Sequence, residues 1–139
     1  MIQNAYKIFL NKKAIFILFL FYVLFILYFT VFMRPVVFQV PQIELFWSYK
    51  EWLAGDWNLG KEILGNIGMF IPFGFLLTAC LTSQKKKFSK VFVAGILFSC
   101  LIEILQLEFW RGLYEYDDIF NNSLGAVAGF FLYHFLQKI

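Results

Sequence analysis

The chain has 139 residues, 61% of them hydrophobic and 22% aromatic, with only 15% charged and a formal net charge of +3. Soluble domains carry about 45–50% apolar and about 25% charged residues, so these charges cannot cover a water-facing surface and most of the solvent must be lipid. The small positive excess excludes a nucleic-acid reader, because no basic patch is interleaved with aromatics on a polar element.

A spanning helix needs about 20 mostly apolar residues. The first such run is residues 14–33, which carry no charge. Lys7, Lys12 and Lys13 precede it, as in a signal peptide. The run is longer than the ~7–15 residues of a signal core, though, and Met33-Arg34-Pro35 follows in place of a cleavage site. It reads as a retained span.

An outer loop of residues 34–62 follows, with Ile43, Phe46, Trp47, Trp52 and Trp57. Aromatics of this kind settle at the headgroup level, which predicts a short interfacial helix over about residues 42–53. The second span is residues 63–82, with Asn66 and Pro72, and Pro72 predicts a kink. A short loop, residues 83–90, carries four lysines and leads to the third span, residues 91–110, with Glu103, Gln106 and Glu108. The fourth span, residues 119–137, holds Asn121, Asn122 and His134. The fold class is therefore an all-α membrane protein: one domain of four transmembrane helices with an interfacial helix in the first outer loop.

Lys and Arg set the orientation. With the N terminus inside, Lys7, Lys12, Lys13, Lys85, Lys86, Lys87, Lys90 and Lys138 are cytoplasmic, whereas Arg34, Lys50, Lys61 and Arg111 lie outside. Both termini are then cytoplasmic, and loop 83–90 faces the cytoplasm.

Ionisable side chains inside a span cost ~2.5–3.5 kcal/mol on insertion scales, so they face inward and seek partners. At ~1.5 Å per residue, Glu103 lies ~18 Å and Gln106 ~22 Å above the inner boundary of a core ~30 Å thick. Asn66, Glu103, Gln106, Arg111, Asp117, Asp118, Asn121 and Asn122 thus gather at one depth, in the outer half. Asp117 and Asp118 stand at a helix start, where carboxylates also serve as caps, so a capping role and a functional one both remain open. Glu103 likewise reads either as functional or as bundle glue bonded to Asn66 or Asn122. His134 reads as a structural histidine. Gly125 and Gly129 form a GxxxG face for close helix packing, and Gly65, Gly68 and Gly74 offer similar surfaces on the second span. Cys80 and Cys100 fall in apolar runs without a metal-binding spacing, and no cofactor motif is present.

Three blocks carry a family resemblance. NIGMFIPFGFLL (residues 66–77), SCLIEILQL (residues 99–107) with its Ser-x-x-x-Glu-x-x-Gln pattern, and Arg111 followed by YDDIFNNSLGAVAGFF (residues 116–131) occur in order on three spans. They resemble the VanZ-like, teicoplanin-resistance family, with Ser123 where Thr is common. The resemblance covers about residue 60 to the end and implies a family site of Asn66, Glu103, Gln106, Arg111, Asp117, Asp118 and Asn122. It also implies action on a lipid-linked wall precursor or a lipoglycopeptide outside the cell, and no established reaction. Three readings follow: a binder of such a ligand; an enzyme on a polyprenyl or phospholipid headgroup, with Glu103 as base, Asp117 and Asp118 on Mg²⁺ and Arg111 on phosphate; or a scaffold whose glycine face, Gly125 and Gly129, takes a partner helix.

Overall fold

A computed structural model describes residues 12–38, 40–83 and 85–139. Lys7 and Gln84, which the topology argument places in cytoplasmic segments, lie outside the described residues. Four helices are long and apolar enough to cross a membrane, and no β-strand forms among the described residues.

Helix α1 (Lys12–Leu27) passes into a π-helical turn, Tyr28–Phe32. Met33 N–H donates to the Tyr28 carbonyl at 3.0 Å, and Thr30 Oγ1 donates to the Ile26 carbonyl at 2.7 Å. Residues 34–38 and 40–46 are irregular. They run beside the 109–115 connection, with Val37 N–H on the Trp110 carbonyl (2.8 Å) and Gln42 N–H on the Tyr114 carbonyl (2.8 Å).

The expected interfacial helix over 42–53 is shorter: α2 covers Trp47–Leu53. Pro41 biases its predecessor toward extended backbone, Gln42 is tied to the 109–115 connection, and Phe46 enters the left-handed region at φ 65° before the helix begins.

Helix α3 (Trp57–Cys80) starts six residues before the predicted second span, because Asp56 caps it by accepting from Asn58 N–H at 3.0 Å. Lys61 and Glu62 interrupt the apolar run but are exposed and do not break the helix. The helix continues through Pro72. Helix α4 is Lys87–Glu108, and α5 is Tyr116–Leu136, starting three residues earlier than expected. The odd charge in the α3–α4 hairpin is Lys87. It is buried at the foot of α4, with its ammonium 5.3 Å from the Tyr133 ring centre.

Helices α3 and α5 form the central pair. A Cβ on Gly125 would stand 2.2 Å from the Ile67 carbonyl oxygen, one on Gly129 2.1 Å from that of Ile71, and one on Gly74 2.0 Å from that of Ala126. Small residues let the two backbones touch, which is how helices associate where lipid removes the hydrophobic drive. The helix seated on Gly125 and Gly129 is therefore α3 of the same chain. Gly65 and Gly68 do not share this role; a Cβ at either would meet open space.

Phe70, Phe73, Val91, Ile102 and Ala126 form the core with Ile26 of α1, and Phe73 stacks on Phe98 at 5.1 Å. Tyr22 joins α1 to α3 through a 2.7 Å bond to the Met69 carbonyl. Phe16, Phe21, Phe25 and Phe29 point outward, the arrangement that a lipid solvent favours. His134 bonds the Phe130 carbonyl one turn back through Nδ1 (3.0 Å), and Cys80 and Cys100 are free and half-buried.

Candidate functional site

One end of the bundle collects the π turn, α2, the start of α3, the end of α4 and the start of α5. Ser99, Glu103 and Gln106 lie on one face of α4, and Asp118 and Asn122 on one face of α5, by the three- and four-residue helical spacing. All five are buried; Glu103 and Gln106 are each 1% exposed. Asn122 Nδ2 donates to Ser99 Oγ at 2.8 Å, which joins the two faces directly.

Asp118 is held from two sides. Asn66 Nδ2 donates to Oδ1 at 2.6 Å, and the Arg34 guanidinium stands 3.7 Å from Oδ2. Arg34 reaches this position past Gly112, where φ is +82° and an added Cβ would lie 2.9 Å from Arg34 Cδ. Arg111 has a different partner: its Nη1 donates to the Arg34 carbonyl at 3.1 Å, while its N–H bonds the Gln106 carbonyl at 2.8 Å. The guanidinium paired with Asp118 is thus Arg34, and Arg111 holds the backbone that presents it.

Asp117 and Asp118 turn to different partners, so they do not form a paired metal site. The Asp117 carboxylate is fully buried and caps α2. It accepts from the N–H of Phe46, and from the N–H (2.9 Å) and hydroxyl of Ser48. It therefore does cap a helix, but a helix 70 residues away and not its own. Asn121 adds a second tie, accepting from the Tyr49 hydroxyl. Together they strap α2 across the cluster.

Glu103 accepts one bond, from Glu115 N–H at 2.9 Å, and Gln106 Nε2 donates to the Thr30 carbonyl of the π turn at 2.8 Å. At the rim, burial pushes Glu115 up to about 8, helped by the negative charges of Asp118 and Glu62 and opposed by Arg34. Among the described residues, four buried side-chain atoms at this end have no partner: Trp47 Nε1, Gln106 Oε1, Asn121 Nδ2 and Asn122 Oδ1. Buried polar atoms are normally paired, so each of these asks for an explanation.

Among the described residues no group of three or more His, Cys, Asp or Glu is arranged to hold a metal. Beside the cluster, α4 and α5 flank an apolar groove of about 340 Å³, lined by Phe92, Ile96, Tyr116, Ile119, Ser123 and Val127 among others, with Leu45 at its α2 end.

Sequence depth alone gathers Asn66, Glu103, Gln106, Arg111, Asp117, Asp118, Asn121 and Asn122; of these the structure turns Arg111 to the Arg34 carbonyl and Asp117 to the start of α2. It misses Arg34 and Glu115, which it counts only as loop residues, and Ser48 and Tyr49, which it counts only as part of the expected interfacial helix. Arg34 carries one usable signal, its place directly after an uncharged span.

Four apolar helices with acids and amides buried together at one end define a multi-pass membrane protein. A model of the VanZ/LLP1 family matches residues 19–137, and the chain belongs to that family. It is similar to Protein VanZ of Enterococcus faecium, 31% identical over 78 residues, covering 56% of this chain and 47% of that relative. The chain thus spans about half the length of the curated relative it matches. No solved structure matches it.

Proposed function

We propose that the protein acts at the outer leaflet of the bacterial cytoplasmic membrane, with both termini in the cytoplasm. There it binds a lipid-linked or lipidated ligand and lowers susceptibility to teicoplanin-type lipoglycopeptides. The observation that carries the reading is the placement of groove and cluster on two sides of the same helix turns. Tyr116, Ile119 and Ser123 line the groove, and Asp118 and Asn122 belong to the cluster. An apolar slot of this volume falls in the range of ligand pockets and suits a hydrocarbon chain. The polar end beside it suits the headgroup. Orientation rests on the lysines of the α3–α4 hairpin, opposite the cluster.

The test is teicoplanin susceptibility of a sensitive Gram-positive host at matched membrane expression. Wild type should lower susceptibility and reduce surface binding of fluorescent teicoplanin. Ile119→Trp, which fills the groove, and Glu103→Ala, which empties the cluster, should each abolish both effects. Resistance that survives both substitutions removes the site from the account, and wild type without resistance removes teicoplanin.

A further inference from the structure

The junction of α4 and α5 holds two buried carboxylates, Glu103 and Asp118. Glu103 Oε2 accepts from the N–H of Glu115, three residues before Asp118, and both carboxylates are almost fully buried. Arg34 stands 3.7 Å from Asp118. Arg111 is turned to the Arg34 carbonyl instead, and Asp117 is matched by the donors at the start of α2. With both carboxylates ionised, one guanidinium would leave a net charge of −1 in a low-dielectric interior, where an uncompensated charge is strongly unfavourable.

The orphaned atoms indicate what is missing. Asn122 Oδ1 and Gln106 Oε1 are buried carbonyl oxygens without donors. The first belongs to the amide that bonds Ser99, one turn before Glu103; the second lies one turn after Glu103 on the same face. Glu103 itself accepts only the Glu115 N–H, on Oε2. On the turns either side of Glu103 the free capacity is oxygen acceptor, the donor set that hard cations take, while the unpaired donors, Asn121 Nδ2 and Trp47 Nε1, lie on the α2 side. A proton on Glu103 would satisfy one of these oxygens; a cation can be shared among them.

We infer that the Glu103, Gln106 and Asn122 oxygens bind one desolvated monovalent metal cation between α4 and α5, with Asp118 completing the charge. The site goes beyond the lipid-linked ligand reading and stands without it. The cation would join the two helices where their only direct side-chain hydrogen bond is that of Asn122 with Ser99.

The experiment is thermal unfolding of the purified full chain in a neutral detergent, in NaCl, KCl or choline chloride at one ionic strength. Binding to the folded state alone raises stability with ligand concentration. The expected result is a saturable rise in Tm of roughly 3–8 °C in Na⁺ or K⁺ over choline, absent in Glu103→Gln and in Asn122→Ala. Equal Tm in all three salts overturns the inference. So does a Tm that responds to pH but not to the cation, which would assign the position to a proton. Should neither variant purify, the sodium NMR linewidth of the wild type decides. Broadening reversed by excess K⁺ upholds the site, and a linewidth equal to that of empty micelles overturns it.

Discussion

Asp117→Ala is the substitution whose outcome the structure sets most sharply. The carboxylate is fully buried and holds three donors at the start of α2: Phe46 N–H, Ser48 N–H and the Ser48 hydroxyl. Phe46 there is left-handed at φ 65°, a conformation costing roughly 1–2 kcal/mol in a non-glycine residue. It is held in place by Asp117 and by ring contacts with Tyr49 and Phe120 at 5.9 and 5.2 Å. Hydrogen bonds to a charged group contribute about 1.5–3 kcal/mol each, and buried donors left unpaired cost about 1–3 kcal/mol. Allowing for water reaching the exposed side of the loop, the change should destabilise the docked α2 by about 3 kcal/mol. At 1.4 kcal/mol per tenfold, the opening equilibrium of α2 rises about 100-fold. Native-state hydrogen exchange on the amides of residues 46–53 reads this directly, since local opening sets the rate. Exchange should accelerate by that factor while the α3–α5 core stays protected. Asp117→Asn keeps one acceptor and should fall between. Unchanged protection of residues 46–53 in Asp117→Ala would refute the capping assignment.

Three further outcomes follow from the geometry. Gly129→Ala should lower the unfolding free energy by about 1–3 kcal/mol, because the new methyl meets the Ile71 carbonyl, whereas Gly68→Ala, facing open space, should leave it unchanged or raise it by up to about 1 kcal/mol; paired denaturation curves check the contrast. Gln106→Leu should cost about 1–3 kcal/mol by leaving the Thr30 carbonyl unpaired in the π turn, measured as Tm, with Gln106→Glu failing to rescue because a carboxylate cannot donate. Glu115 is raised to about 8 by burial, so between its ordinary value near 4.5 and about 8 the folded state binds the extra proton. Its stabilisation is fully present below about 4.5 and is lost as pH rises through about 8. Tm should therefore decline over that window, and Glu115→Gln should flatten part of the decline.

The four spans are legible because an uncharged run of about 20 residues has one economical fate in lipid. Their starts are less so. Lys61 and Glu62 lower the hydropathy of the first turns of α3 without breaking it, and Asp117 and Asp118 read as loop charges although both are buried helical residues. Helical spacing and depth bring together Glu103, Gln106, Asp118 and Asn122, because each sits on a regular helix. Arg34 escapes because residues 34–46 have no period from which to compute a direction, and Ser48 because a seven-residue helix, Trp47–Leu53, does not reveal what it docks on. What fixes them are bonds to partners about 70 residues away, formed only after the helices are in place. The GxxxG face was legible as a packing surface; that its occupant is α3 follows only from the positions of the Ile67 and Ile71 carbonyls.

The glycine contact between α3 and α5 also orders events at the ribosome. The main partner of α3 is not the span that follows it but the one after that, and about 56 residues separate the ends of the two helices. At about 5–20 residues per second of synthesis, α3 must wait roughly 3–11 s before α5 is made. During that interval Asn66 has no Asp118 and Gly74 no Ala126, so the segment enters the insertion machinery with a polar group and a bare backbone patch uncovered. A chaperone or insertase that shelters single spans would therefore act on α3 rather than on α1, whose uncharged run needs no such shelter.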